Sequence, residues 1–116
     1  MLISGRVSQA TGTQTDNIFA GTYIEFMPAD GILQFGMTTD QPLATADNAK
    51  VDILCGTELI ASSYSPRTTG AASMPVYPDD FRLSCGAPAG VRIIGKHRNL
   101  GGATQVLFWE VMFDPA

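Results

Sequence analysis

Short runs rich in Val, Ile, Phe, Tyr and Thr alternate with glycine and proline along the whole chain. Such runs between turn-forming residues are typical of β-strands, because branched and aromatic side chains pack well on a pleated surface. No long window keeps apolar residues at the helical spacing i, i+3, i+4 and i+7. The pattern predicts about eight strands: Leu2–Val7, Asn17–Met27, Ile32–Thr38, Lys50–Cys55, Glu58–Tyr64, Arg82–Cys85, Val91–Arg98 and Gln105–Phe113.

The regular spacing of these strands is the basis for the predicted architecture. Many short strands joined by turn signals favour a β-sandwich or a barrel. A count of about eight strands divides into two sheets of equal size in Greek-key order. We therefore expect an all-β antiparallel sandwich and, within that class, a jelly roll. At 116 residues, the chain has the usual length of one domain, which would span residues 1–116.

The last predicted strand, Gln105–Phe113, is apolar on both of its faces. One face carries large apolar side chains at alternate positions, namely Leu107, Trp109, Val111 and Phe113. The opposite face repeats this pattern apart from one acid, with Val106, Phe108, Glu110 and Met112. A strand of an antiparallel sandwich commonly turns one face to water, and leaving a large apolar side chain exposed forfeits about 1.5–3 kcal/mol. The second face therefore needs a cover.

The predicted strand Asn17–Met27 has the same two-faced pattern, with Ile18, Ala20, Ile24 and Phe26 opposed to Phe19, Tyr23 and Met27. Two explanations fit both strands: the long loop within Ser62–Pro78 covers their outer faces, or a neighbouring subunit does. Charged residues make up 16% of the chain, against about 25% in a typical globular protein, and this deficit favours the subunit contact. We therefore predict that Phe108 and Trp109 are aromatic anchors of a subunit interface.

The predicted strand Val91–Arg98 follows the alternation rule. Val91, Ile93 and Gly95 share one face, and the other face carries Arg92, Ile94, Lys96 and Arg98. We predict that these three cations orient a neighbouring subunit, with a solvated strand face as the alternative. The formal net charge of −4 and the lack of aromatic residues among the cations disfavour nucleic acid as the partner.

Side chains capable of catalysis are few and scattered. His97 is the single histidine, and the flanking Lys96 and Arg98 disfavour the imidazolium form that nucleophilic catalysis needs. The adjacent acids Asp79 and Asp80 follow Pro78 and indicate a turn more than a metal site. We expect a non-enzyme with no catalytic residue, no metal, no cofactor and no small-molecule substrate.

The two cysteines, Cys55 and Cys85, lack the CxxC spacing of a zinc site. The sequence leaves open whether they form a disulfide or pack as two buried thiols. The N-terminus shows no signal peptide, and no apolar run reaches the length of a membrane helix. We therefore expect a chain made in a cytoplasm that does not enter a membrane.

The C-terminal half carries a series of short motifs: Met74–Phe81, Pro88–Ile94, Arg98-Asn99, and a closing apolar strand that ends Phe113-Asp114-Pro115. In this pattern the chain resembles the last strands of small viral jelly-roll structural proteins. The resemblance implies a virion component made in the host cytoplasm, such as a minor capsid, penton, spike or decoration subunit. Carbohydrate-binding sandwiches have comparable endings.

These observations lead to one expected function and one alternative. We expect a self-assembling structural protein of a virus or phage particle, a homo-oligomer whose partners are copies of itself and other structural proteins. The alternative is a non-catalytic carbohydrate- or ligand-binding β-sandwich module. Such a module needs several aromatic side chains on one open face, and the candidates are Tyr23, Tyr64, Tyr77 and Trp109.

Overall fold

The computed structural model describes residues 2–41, 48–70 and 73–115. In these ranges it contains nine β-strands and no α-helix. The strands are β1 (Leu2–Gln9), β2 (Gln14–Thr15), β3 (Gly31–Thr39), β4 (Ala49–Cys55), β5 (Glu58–Tyr64), β6 (Arg67–Thr68), β7 (Phe81–Ala87), β8 (Ile93–Asn99) and β9 (Gln105–Pro115). The predicted all-β class is confirmed.

The strands form two sheets that pack on a shared core. The first sheet has the order β1-β9-β3, with β6 and β7 both paired to β3, and the second sheet has the order β2-β8-β4-β5. Every neighbouring pair is antiparallel except β3 with β6. Leu33 and Phe35 of the first sheet and Ile53 and Ile93 of the second belong to one buried cluster. This arrangement confirms the predicted antiparallel sandwich.

The strand pairs are nested within one another along the chain. β1 pairs with β9, β2 with β8, β3 with β7, and β4 with β5. Each of these pairs encloses the next, so the chain follows the course of one long hairpin. The remaining pairings, β3 with β9 and β4 with β8, fold that hairpin into the two sheets.

Alternation of side chains along the strands builds the core, as the sequence pattern predicts. In β4, Ala49, Val51, Ile53 and Cys55 are buried, while the residues between them are half-exposed. An aromatic cluster lies at the centre, where Phe19 packs against the rings of Phe35 and Trp109 at centroid distances of 5.8 and 5.1 Å. Gly95 makes room for this cluster, because a Cβ there would lie 2.8 Å from Phe19.

The predicted strand Asn17–Met27 is wrong, because this segment is a series of turns beside β8. The Asn17 side chain accepts a hydrogen bond from the backbone N–H of Phe19 at 3.0 Å, and Gly21 has a φ of 77°. These local turn preferences override the β-propensity of the apolar residues around them. Ile18 and Met27 still donate backbone hydrogen bonds to β8 or its N-terminal flank, at Gly95 and Val91.

Candidate self-association surface

Trp109 lies on the inner face of β9 and is 3% exposed. β9 is a central strand between β1 and β3, so its inner face packs on the core. The indole ring contacts Phe19 edge-on and also lies over Gly5, where a Cβ would come within 2.6 Å of it. The expectation that Trp109 faces a neighbouring subunit is therefore wrong, because the chain itself covers this side chain.

Phe108 lies on the outer face of β9 but is only 4% exposed. Residues 73–80, here called the cover segment, run over this part of the first sheet. Thr38 Oγ1 donates a hydrogen bond to the backbone oxygen of Ser73 at 2.6 Å, and Met74 lines a pocket of 360 Å³ together with Phe108. The expected exposure of Phe108 is therefore also wrong. A loop of the same chain, and not a neighbouring subunit, therefore covers Phe108. The low charge of the chain had favoured the neighbouring subunit.

The other end of the same sheet face is open. Leu2, Met112, Gln34 and Ser84 lie side by side across β1, β9, β3 and β7, and Ile32 lies in the next row. We call these five residues the end patch. Leu2 is 54% exposed and Ile32 is 51% exposed, while Met112 is half-buried. The end patch is therefore an open area with three apolar members, Leu2, Ile32 and Met112, beyond the part of the face that the cover segment hides.

Glu110 lies between the covered and the open part of this face. It is half-buried on β9, directly opposite Ser4 of β1. Burial raises the pKa of the Glu110 carboxyl group, and no nearby charge contributes to the shift. No basic side chain of the described ranges forms an ion pair with Glu110, and no acidic one pairs with Arg6, which is exposed on the same face.

β1 is an open edge of the first sheet. Its register with β9 runs without interruption from Leu2 to Gln9, and it contains no proline and no bulge. Natural sheets usually protect such an edge with bulges, prolines, lysines or a covering segment, because unpaired backbone groups invite another strand. β1 carries one charged side chain, Arg6.

The other sheet edges in the described parts of the chain are protected. β5 pairs with β4 through two irregularities in register, and its Ser63 has a φ of 56°. β7 pairs with β3 through a bulge at Phe35 and Gly36. β2 is two residues long and leads into the turns of residues 17–27 beside β8. β1 is thus the one long edge of the described strands whose register has no bulge and which contains no proline.

The three cations of the predicted strand Val91–Arg98 lie on the outer face of the second sheet or at its border. Arg92 is exposed, and Lys96 and Arg98 are half-buried, while Ile93, Gly95 and His97 of the same strand face the core. Two of these cations have acidic partners within the chain: Arg92 lies 3.1 Å from Glu25, and Arg98 lies 3.2 Å from Asp52. Lys96 stands opposite Asp52 in the register. Their role in orienting a subunit stays a prediction.

His97 is fully buried, and its Nε2 lies 3.2 Å from Gln105 Oε1. Burial lowers the pKa of the His97 imidazole. The expected cause, repulsion by Lys96 and Arg98, is wrong because those side chains stand on the opposite face of β8. Because His97 has no exposed surface, it is packed as a core residue.

Asp80 belongs to the fold of the cover segment. Its carboxylate accepts hydrogen bonds from Arg67 Nε at 2.6 Å and from the backbone N–H of Val76 at 2.8 Å. The hydrogen bond with Arg67 holds the pKa of the Asp80 carboxyl group below its usual value. In the described ranges, no group of His, Cys, Asp or Glu side chains has the arrangement of a metal site.

Cys55 of β4 and Cys85 of β7 meet between the two sheets. Both side chains are buried and reduced, and their Sγ atoms are 2.9 Å apart. Burial raises the pKa of the Cys85 thiol, and the neighbouring Cys55 raises it further. The pair therefore connects the two sheets through residues that are 30 positions apart along the chain.

The aromatic candidates for a sugar platform lie apart. Trp109 is buried and Tyr64 is half-buried, while Tyr23 and Tyr77 are exposed. Tyr23 belongs to the turns beside β8 of the second sheet. Tyr77 packs edge-on against Phe81, which lies over Gly36 of the first sheet. The two exposed tyrosines therefore lie in turns beside different sheets.

No helix in the described ranges has the length and apolar character needed to cross a membrane. No protein-family model and no curated protein sequence matches the chain.

Proposed function

We propose that this chain is a self-assembling structural subunit of a virus or phage particle that works through subunit contacts. The observation that carries the proposal is the unprotected edge strand β1 beside the apolar end patch. An open edge supplies backbone hydrogen bonds to another strand, and an apolar area next to it supplies the burial that holds the contact. Copies of the same chain and other structural proteins are the partners of this surface.

The nested strand pairing supports the virion part of the proposal. β1 to β9, β2 to β8, β3 to β7 and β4 to β5 form successive pairs of one rolled hairpin, which is how we interpret the fold as a jelly roll. Jelly rolls are common in viral capsid proteins and in lectins. The exposed tyrosines lie beside different sheets and cannot form one sugar-binding face, which favours a structural role in a capsid over carbohydrate binding.

The low charge of the chain also supports contacts between copies, although the cover of Phe108 is a segment of the same chain. At 16% charged residues, the surface carries fewer ions than a typical globular protein, in which the fraction is about 25%. The described cations Arg67, Arg92 and Arg98 are also already paired with acids of the same chain. Contacts between copies would then rest on strand edges and apolar area more than on fields of charge.

Light scattering over a concentration series, with electron microscopy of the concentrated samples, tests the proposal. We expect the molar mass to rise well above the 12.3 kDa of one chain. The Leu2→Glu variant should shift this rise to higher concentration. Leu59→Glu is the matched control, because Leu59 is 55% exposed but belongs to β5 of the second sheet.

A wild-type chain that stays at 12.3 kDa at every concentration contradicts self-assembly. A reproducible glycan-array signal from such a monomer would support the binding-module alternative instead. Equal effects of Leu2→Glu and Leu59→Glu would show that the end patch is not the contact.

A further inference from the structure

We propose that a second copy of this chain pairs its β1 antiparallel with β1, about a twofold axis at Gly5, so that the first sheets of two protomers form one continuous sheet. The inference rests on the proposed self-assembly and names its partner and register. A twofold contact uses the same surface on both copies, so the edge has to be complementary to itself.

The side-chain pattern of β1 selects this register. Residues directly opposite each other in an antiparallel pair point to the same side of the sheet. With Gly5 on the axis, Ile3 faces Val7 of the second copy, and Ser4 faces Arg6. Ile3 and Val7 are half-buried residues that pack against the core in each protomer. Their pairing extends the apolar layer across the junction.

The neighbouring registers are less favourable. An axis at Arg6 places the two Arg6 guanidinium groups opposite each other, and like charges in that position repel. An axis at Ser4 places Leu2 opposite Arg6 and leaves Val7 beyond the overlap. A shift by one residue would set core-facing positions of one copy against outward positions of the other.

The Gly5 register also gives Glu110 a partner. Glu110 of β9 stands opposite Ser4 of β1 in each protomer, and Ser4 would stand opposite Arg6 of the second copy. The backbones that carry Glu110 and the second copy's Arg6 are then two strand spacings apart, about 9–10 Å. A glutamate and an arginine can span that distance across the small side chain of Ser4. Both groups lack an ion-pair partner in the described protomer, and the axis forms the pair twice.

Charge reversal with mixing tests the contact. Arg6→Glu places two acids together at each junction of its homodimer, and Glu110→Arg places two bases together. We expect each variant alone to self-associate about ten-fold more weakly, since two close pairs turn from attractive to repulsive. An equimolar mixture of the two variants should recover association as a heterodimer, because both junctions are then attractive. Sedimentation equilibrium and native mass spectrometry measure these species.

The mixture separates a contact between copies from an effect within one chain. Each folded variant keeps its own altered residue in the mixture, so recovery can only come from the second copy. Arg82→Glu is the control, because Arg82 is an exposed cation on β7 at the far side of the sheet. It should leave association unchanged.

The outcomes separate the Gly5 register from self-assembly itself. If the wild-type chain associates and mixing restores nothing, the Gly5 register is overturned while self-assembly stands. If Arg6→Glu and Glu110→Arg both associate like the wild type, β1 is not the contact. If the wild-type chain does not associate at all, both proposals fail.

Discussion

Arg67 and Asp80 join β6 to the cover segment through two parallel hydrogen bonds. Arg67 Nε donates to Asp80 Oδ1 at 2.6 Å, and Nη2 donates to Oδ2 at 3.0 Å. The second oxygen also accepts from the backbone N–H of Val76 at 2.8 Å. Arginine and carboxylate groups paired in this two-point geometry are held more firmly than single contacts. The pair therefore fixes the segment that hides Phe108 from solvent.

Asp80→Asn should loosen the cover segment and lower the free energy of unfolding. Hydrogen bonds to a charged group contribute about 1.5–3 kcal/mol, and the variant removes the charge from a nearly buried carboxylate. Urea denaturation measures the loss, and hydrogen exchange at the Val76 amide reports the local opening. Arg92→Ala is the control, because its exposed pair with Glu25 should contribute about 0–1 kcal/mol. Equal losses in both variants would contradict the anchoring role of Asp80.

The same pair predicts a loss of stability in acid. Arg67 lowers the pKa of the Asp80 carboxyl group below the ordinary value of 3.8. The pair's contribution is therefore present above pH 3.8 and is lost as the pH falls through the lower pKa of the folded chain. Thermal denaturation of the wild type and Asp80→Asn should converge in that acid range. A constant difference between them would contradict the prediction.

Glu110→Gln should stabilise the protomer at neutral pH. Burial raises the pKa of the Glu110 carboxyl group above the ordinary value of 4.5. A raised pKa means that the folded chain prefers the neutral group, so the charged form costs stability at pH above the folded pKa. The advantage of the variant should shrink as the pH falls through that pKa and vanish below 4.5. Denaturation has to be measured at a dilution where the chain is monomeric, because the inferred junction uses Glu110.

His97 should stay neutral to a pH below its ordinary pKa of 6.5. Burial lowers the pKa of the imidazole from 6.5, so the folded chain binds the proton less well than the unfolded chain does. Its contribution to stability is present above pH 6.5 and declines as the pH falls toward the lower pKa. Because the chain has one histidine, its ring signals in a proton NMR titration are unambiguous. A midpoint at or above 6.5 contradicts the burial of His97.

Cys55 and Cys85 should form a disulfide when the unfolded chain is refolded with oxidised glutathione, because exchange needs an accessible thiolate and both thiols are buried in the folded chain. One glutathione disulfide takes up two electrons and becomes two thiols, while the two Sγ atoms lose their protons and join. A bond that closes a loop of this length stabilises a fold by about 3–4 kcal/mol in the chain-entropy model. Titration of free thiols in denaturant shows whether the disulfide has formed. Thermal unfolding of the oxidised and the reduced chain measures the gain in stability. Cys55→Ser is the control and should show no gain, and an oxidised wild type of unchanged stability contradicts the prediction.

The sequence predicts the strands well wherever alternation continues without a turn. The range Glu58–Tyr64 coincides with β5, and the predicted Lys50–Cys55 lies within β4. Asn17–Met27 fails because side-chain hydrogen bonding by Asn17 and the left-handed conformation of Gly21 bend the chain. Both are local effects that a strand-propensity pattern does not contain.

The site is harder to predict than the strands, for a different reason. The two apolar faces of Gln105–Phe113 correctly indicate that Trp109 and Phe108 are both buried, although Met112 on the outer face lies in the open end patch. Phe108 is covered by residues 73–80, a segment distant along the chain that the Arg67–Asp80 pair holds in place. The predicted loop within Ser62–Pro78 contains residues 73–78 of that segment but not its anchor Asp80, and residues 71–72 lie outside the described ranges. The openness of β1 depends on which strand ends each sheet, and this follows from the pairing and not from β1 itself.

The nested pairing has a consequence for synthesis on the ribosome. β1 is made first, but its partner β9 is the last strand of the nine to emerge. During the whole interval, β1 has neither of its flanks occupied, and contacts this distant along the chain form slowly. If copies pair through β1 as proposed, a nascent chain can meet β1 of another nascent chain on the same messenger before its own first sheet closes. Assembly and folding then compete for one strand.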